Sequence, residues 1–144
     1  MHTDDLHNDD CFALRQAARH ISTLYERHLS EAGITTTQFS ILRRLSRCPG
    51  LTMAELSKAM VMDRTTLVRA LKPLLRRELV AAPIDEPGNG RLRVELTPSG
   101  QTKLDEAAAH WAAAQACFER RFGQQQAAHL RSELFRMTTG VFDR

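Results

Sequence analysis

Asp63-Arg64-Thr65-Thr66-Leu67-Val68-Arg69-Ala70-Leu71-Lys72-Pro73-Leu74-Leu75-Arg76 is the stretch on which the fold turns. Asp63 is suited to cap a helix, and Leu67, Leu71, Leu74 and Leu75 then form its inward stripe. Thr65, Arg69, Lys72 and Arg76 stand at i, i+4, i+7 and i+11 on the opposite side. One face is aliphatic and the other nearly all cationic. The pattern carries this helix to about Leu79, and Pro73 removes one of its hydrogen bonds. A bend is therefore expected between a front half that projects and a rear half that packs. A basic helix face is by itself usually a solvated face, so the flanking sequence decides its meaning.

Immediately before it, Thr52-Met53-Ala54-Glu55 is a capping box, in which hydroxyl and carboxylate each satisfy a free backbone N–H of the first turn. The short helix it opens ends near Ala59, and Met60-Val61-Met62 makes the turn. Immediately after it, Val80 to Ile84 and Arg91 to Leu96 read as extended segments. Leu92, Val94 and Leu96 alternate there with Arg91, Arg93 and Glu95. Between the two, Asp85-Glu86-Pro87-Gly88-Asn89-Gly90 is rich in turn formers, with the tip at or near Asn89-Gly90. Two helices joined by a tight turn, the second with a cationic face, followed by a basic hairpin, make a winged helix-turn-helix. In such a unit the front of the second helix enters the major groove and the hairpin reaches phosphate or the minor groove.

Further out, a first helix is expected from about Asp10 to Glu31, with Cys11, Leu14, Ala18, Ile21, Tyr25 and His28 on one face and Gly33 as its stop. Thr35-Thr36-Thr37 caps a second, which carries Phe39, Ile41, Leu42 and Leu45 to about Arg47 before Pro49-Gly50. Thr97-Pro98-Ser99-Gly100 opens a long fifth helix, striped by Leu104, Ala108, Trp111, Gln115, Phe118 and Phe122 as far as Gly123. A last helix aligns Leu130, Leu134, Met137 and Val141. The expected fold class is mainly α with a small β-hairpin wing. One domain covers residues 1–144, with 35–97 as the DNA-binding lobe and 10–34 and 98–144 as dimerisation helices. Both terminal regions carry apolar stripes with no sheet to cover them, so pairing with a second copy is the natural solution.

Charge agrees with this division. From Arg43 to Arg93 there are 11 basic and 5 acidic residues, a balance of +6, whereas the rest stands at −3 and the whole chain at +3. Tyr25, Trp111 and all six Phe lie outside that cationic module. Single-strand readers interleave aromatics with basic residues for base stacking, so the module suits duplex backbone instead. At 144 residues the chain has room for one ordinary domain. Cys11, Cys48 and Cys117 form no disulfide framework, and the metal-ligand, phosphate-loop and nucleophile-elbow motifs are missing. That leaves no basis for an enzyme, a metal centre or a cofactor. No stretch approaches the roughly 20 apolar residues of a membrane span, and the acidic start lacks a secretory pattern, which places the protein in the cytosol.

The sequence resembles the MarR family of bacterial transcription regulators. Gly33-Ile34-Thr35-Thr36-Thr37-Gln38-Phe39 carries the resemblance, as do Leu51-Thr52-Met53-Ala54-Glu55-Leu56-Ser57 through Arg69 and Leu96-Thr97-Pro98-Ser99-Gly100. It implies a homodimer, interlocked through the first helix and the last two, whose two lobes straddle a pseudo-palindromic operator in double-stranded DNA. It implies further a repressor released by a small-molecule effector or by cysteine oxidation. The DNA-binding candidates are Arg64, Thr65, Thr66, Arg69, Lys72, Arg76, Arg91 and Arg93, with Arg91 assigned to the minor groove and Arg93 to phosphate. The family's wing usually carries paired arginines at its tip, and here one arginine stands beside the turn. Glu78 sits where such proteins often have Gly.

Cys11-Phe12-Ala13-Leu14 resembles the organic hydroperoxide resistance branch. The likeness implies that Cys11 is oxidised, that Tyr25 steadies its thiolate and that Cys117 of the other subunit resolves it. A second Tyr of that branch would fall near Thr36, which has no phenol. The rival signal is a small aromatic or carboxylate effector between dimer helices and DNA lobe, with Arg15, Arg19, His20 and Phe39 as pocket candidates. Phe39, Trp111, Phe118 and Phe122 also read as core and dimer packing, and Cys11 as a small apolar filler. Outside the regulator class stand a non-switching architectural DNA binder and a helical protein-interaction module.

Overall fold

A computed structural model describes residues 5–82 and 92–141. Six α-helices carry most of the chain: α1 Asp10–Leu29, α2 Thr36–Arg47, α3 Met53–Met60, α4 Arg64–Arg76, α5 Pro98–Phe122 and α6 Gln124–Arg136. Three short strands, β1 Leu51–Thr52, β2 Val80–Ala81 and β3 Arg93–Leu96, form an antiparallel sheet in the order β1-β3-β2. Val80 pairs with Leu96 and Ala81 with Glu95, the base of the expected hairpin. Leu51 pairs with Val94 and Thr52 with Arg93, a third strand that the sequence reading did not include. The turn residues Asp85 to Gly90, and Arg91 beside them, lie outside the described residues. The architecture is a winged helix-turn-helix flanked by terminal helices.

Caps set the helix boundaries. Thr52 and Glu55 make the capping box at α3, and Thr35 and Gln38 make a second at α2. Asp63 caps α4 by accepting from Thr66 N at 2.7 Å. Exits are less regular. Helix α1 gives way after Leu29 to a 3₁₀ turn, Ser30–Ala32, closed by Gly33 at φ 73°. Helix α4 continues through Pro73 but stops at Arg76, three residues short of expectation. The cause is Glu78, at φ 57° in the left-handed region, which reverses the chain toward β2.

Leu29, Phe39, Ile41, Leu42, Leu45, Leu56, Leu67, Leu74 and Val94 are all at most 2% exposed and form the centre of the core. They gather the facing sides of α2, α3, α4 and the sheet, and Leu104 and Ala107 of α5 close the cluster. Each such side chain contributes on the order of 2 kcal/mol through apolar area removed from water. Leu75 does not join them. It is 38% exposed, because Leu67, Leu71 and Leu74 define the buried line and the next residue is rotated about 100° away from it.

Candidate nucleic-acid interface

The turn Val61-Met62-Asp63 aims α4 away from α3. Val61 closes α3 in the left-handed conformation, φ 52°, and Met62 N donates to Ser57 O, which folds the chain back within three residues. With Leu67, Leu71 and Leu74 anchored inward, the opposite side of α4 stands free. Arg64, Thr65, Thr66, Arg69, Lys72 and Arg76 are all exposed. Among the described residues none of these four cations forms an ion pair. Asp63 is held below the usual carboxylate range by hydrogen bonds from Thr66, with Arg69 adding to the effect, so the cap is an anion at neutral pH.

Arg64, Thr65, Val68, Arg69 and Lys72 line one shallow groove of about 290 Å³. Arg76, beyond Pro73, is not part of its lining. Val68, which the sequence reading passed over, sits among the cations. A second groove of about 590 Å³ is lined by Thr52, Met53, Ala54, Glu55, Arg64, Leu92 and Arg93. It brings the wing's Arg93 onto the same side as the front of α4. Arg93 also donates from Nη1 to Gly50 O at 2.7 Å, so part of its guanidinium ties the bend before β1 to β3. Arg91 lies outside the described residues, and its contacts with it.

The lobe is fastened to the terminal helices at a seam. Thr97 N and Oγ1 donate to Leu79 O and Glu78 O, at 3.2 and 2.6 Å. Gly100 lies so close that an added Cβ would stand 2.0 Å from Leu79 O. On the other side, Arg77 Nη1 donates to Gly33 O at 2.9 Å and Lys103 Nζ to Ala32 O at 3.0 Å. Glu26 of α1 accepts from both Thr36 N and Thr36 Oγ1, at 2.9 and 2.8 Å, and so holds the start of α2.

The sensing candidates are dispersed. Cys11 is exposed in the first turn of α1, Cys117 half-buried on α5. Tyr25 follows Cys11 by fourteen helical residues, about 21 Å of axis, and packs against Trp111 with ring centroids 4.5 Å apart. Within one chain Tyr25 therefore cannot steady the Cys11 thiolate. Burial and the nearby Glu119 raise its pKa above the ordinary phenol value. Phe39 is core, stacked on Trp111 at 4.3 Å, and Arg43 lies over both rings at 5.3 and 5.1 Å. Burial and Arg47 lower the Arg43 pKa. Arg19 and His20 line a shallow groove with Gln16, Ala17 and Thr23, and neither Arg15 nor Phe39 shares it. Among the described residues no cluster of three or more His, Cys, Asp or Glu could hold a metal, and no helix is long and apolar enough to cross a membrane.

An apolar groove of about 680 Å³ runs between α1, α5 and α6, floored by residues such as Leu14, Ile21, Phe118, Leu130 and Leu134. Tyr25, Glu119 and Arg131 supply its polar edge.

Comparison with known proteins places this geometry. The MarR family model matches residues 34–87. The transcriptional repressor NicR of Pseudomonas putida is 32% identical over 92 residues, 64% of this chain, and the match spans only 58% of that repressor's length. Among solved structures, the M. tuberculosis transcriptional regulator MosR in complex with DNA superposes with a TM-score of 0.80 at 32% identity, covering 90% of this chain and 93% of that one. The PcaV transcriptional regulator from Streptomyces coelicolor, with its natural ligand, gives a TM-score of 0.85 at 21% identity, over 97% and 99% of the two chains, a likeness of fold. Capped helices, tight turn, cationic α4 and three-stranded wing thus stand in a known setting, and the chain belongs to the MarR family.

Proposed function

We propose that the protein is a dimeric transcriptional repressor that binds a pseudo-palindromic operator through α4 and the wing. The observation that carries this is the groove on α4, where Arg64, Arg69 and Lys72 converge beside Thr65, none of them in an ion pair among the described residues. Exposed cations on a projecting helix complement the phosphate charge of a duplex, and the counterions they displace from it drive association. Arg69 is the base-edge candidate, and Arg64, Lys72 and Arg76 are assigned to phosphate with Thr66 at the helix start. Arg93 and Arg91 extend the contact along the wing. The likeness to MosR in complex with DNA supports the same orientation.

A second copy of the chain is the proposed occupant of the groove between α1, α5 and α6. Eight of the twelve large apolar side chains left exposed among the described residues are on the terminal segments: Leu6, Phe12, Leu14, Phe122, Leu130, Leu134, Phe135 and Met137. Pairing would cover them and set the two α4 helices at a fixed spacing. The signal is proposed to act on that spacing, because the seam at Leu79, Thr97 and Gly100 transmits any shift of α5 to the end of α4.

Two signals are supported by different observations. Exposure of Cys11 suits oxidation by an organic hydroperoxide, which converts the thiolate to a sulfenic acid and leaves as the alcohol. Attack by Cys117 of the partner subunit then forms a disulfide and releases water. The groove beside Arg19 and His20 suits instead a small aromatic or carboxylate effector, with Arg15 on the same helix.

The test begins with a duplex selected by the protein from a random-sequence pool. Arg69→Ala and Arg91→Ala are each expected to weaken binding at least tenfold, and Arg69→Ala to relax base preference. Undiminished affinity in both variants rejects the proposed face, and binding indifferent to sequence favours an architectural role. Treatment with an organic hydroperoxide then separates the signals. Loss of binding that requires Cys11, with a covalent dimer that requires Cys117, supports oxidation; unchanged binding leaves the non-covalent effector.

A further inference from the structure

The cationic stripe does not account for Val68. Arg64, Val68 and Lys72 succeed one another at i, i+4 and i+8, so Val68 occupies the middle of the line, flanked by Thr65 and Arg69. Its side chain is 40% exposed, whereas the adjacent Leu67 and the nearby Leu71 are buried. Helix propensity does not explain the choice, because a β-branched residue in a helix interior is poorer than Ala, Lys or Glu. What valine supplies is two methyl groups held in essentially one χ1 rotamer. The groove thus has a small, rigid apolar floor between positive walls.

We propose that Val68 reads the C5-methyl group of a thymine in the major groove. The proposal rests on α4 being the helix that enters DNA, and it goes further by assigning base discrimination to a residue with no hydrogen-bonding group. Thymine presents the one apolar feature on the major-groove edges of the four bases. Arg64 and Lys72, one turn to either side, hold the helix to the backbone while Val68 covers the methyl. Cytosine at that position carries only a hydrogen on C5, so the valine loses its apolar contact, which is the source of discrimination.

The test uses methyl deletion. In the duplex selected from a random-sequence pool, each thymine is replaced singly by deoxyuridine, which removes only the methyl group. Affinities are then measured by fluorescence anisotropy for wild type, Val68→Ala and Val68→Thr. One thymine per half-site is expected to lose about fourfold in wild-type affinity on replacement. Val68→Ala, with no γ-methyl, is expected to bind thymine and deoxyuridine duplexes alike. Val68→Thr, with one, should fall between them. The salt dependence should be the same for all three proteins, because the phosphate contacts are unaltered. An equal penalty in wild type and Val68→Ala overturns the proposal, as does the absence of any penalised thymine. If the wild-type protein enriches no duplex from the pool, the reading of α4 as a DNA-binding helix fails first, and the proposal with it.

Discussion

The winged-helix lobe and the terminal helices are built from similar proportions of apolar residues and end in opposite states. In the lobe, the inward faces of α2, α3 and α4 meet one another, and Ile41, Leu42, Leu56, Leu67 and Leu74 are wholly buried. In α1, every residue from Cys11 to His20 is exposed, and α6 buries only Ala127. The lobe has three helices and a sheet to enclose its core. The terminal helices have only each other and one side of the lobe, which leaves the outer half of each stripe uncovered. A small domain gains most of its stability by burying surface on itself, so the difference marks the terminal helices as the part that the proposed second copy would cover.

Breaking each side separately sharpens this contrast. Leu56→Ala is expected to lower the unfolding free energy by about 3 kcal/mol, independent of protein concentration, as measured by urea denaturation. Leu134→Glu should leave the unfolding of the lobe nearly unchanged and abolish self-association, as measured by sedimentation. A comparable loss of lobe stability in Leu134→Glu would show that the two regions do not divide as proposed.

The seam between the regions gives the next effect. Gly100→Ala places a methyl group 2.0 Å from Leu79 O and 2.6 Å from Leu96 Cδ1, so α5 must move off the segment that leads from α4 into β2 and off the end of β3. About 2 kcal/mol of destabilisation is expected, and the surviving folded protein should bind the selected duplex more weakly because its recognition helices are respaced. In the opposite direction, Glu78→Gly relieves a left-handed residue and should stabilise the protein by about 1 kcal/mol, read as a raised melting temperature.

The smallest effect concerns pH. The folded-state pKa of Asp63 lies below the ordinary value of 3.8, so the cap's contribution is present above about pH 4 and is lost as pH falls through the folded value. Asp63→Asn keeps a capping oxygen without a titrating group. Stability below pH 4 should therefore fall less steeply in that variant than in wild type, as measured by thermal melts across pH 2–5.

What the sequence disclosed follows the range of the interactions. The Thr52–Glu55 box, the Asp63 cap and the alternating Leu67, Leu71 and Leu74 depend on neighbours within a turn, and they stand where periodicity placed them. Strand β1 is two residues long and exists because Val94 and Arg93, more than forty residues on, pair with it. Two residues cannot show an alternation. The Phe39, Trp111 and Arg43 stack likewise joins distant segments. Glu78 was flagged by its departure from Gly, and its left-handed φ supplies the reason. Val68 was missed because a lone valine among cations reads as filler until the groove around it is visible. Cys11 and Tyr25 share a helical face, which says nothing of the 21 Å between them along it.

Hydroxyl-radical footprinting of the selected duplex tests the central claim most directly, since it reports the lobe and the pairing together. Two protected patches on one face of the duplex, with centres about one helical turn apart, are expected from two copies of α4 presented by a dimer. A single patch, or uniform protection along the duplex, would contradict it.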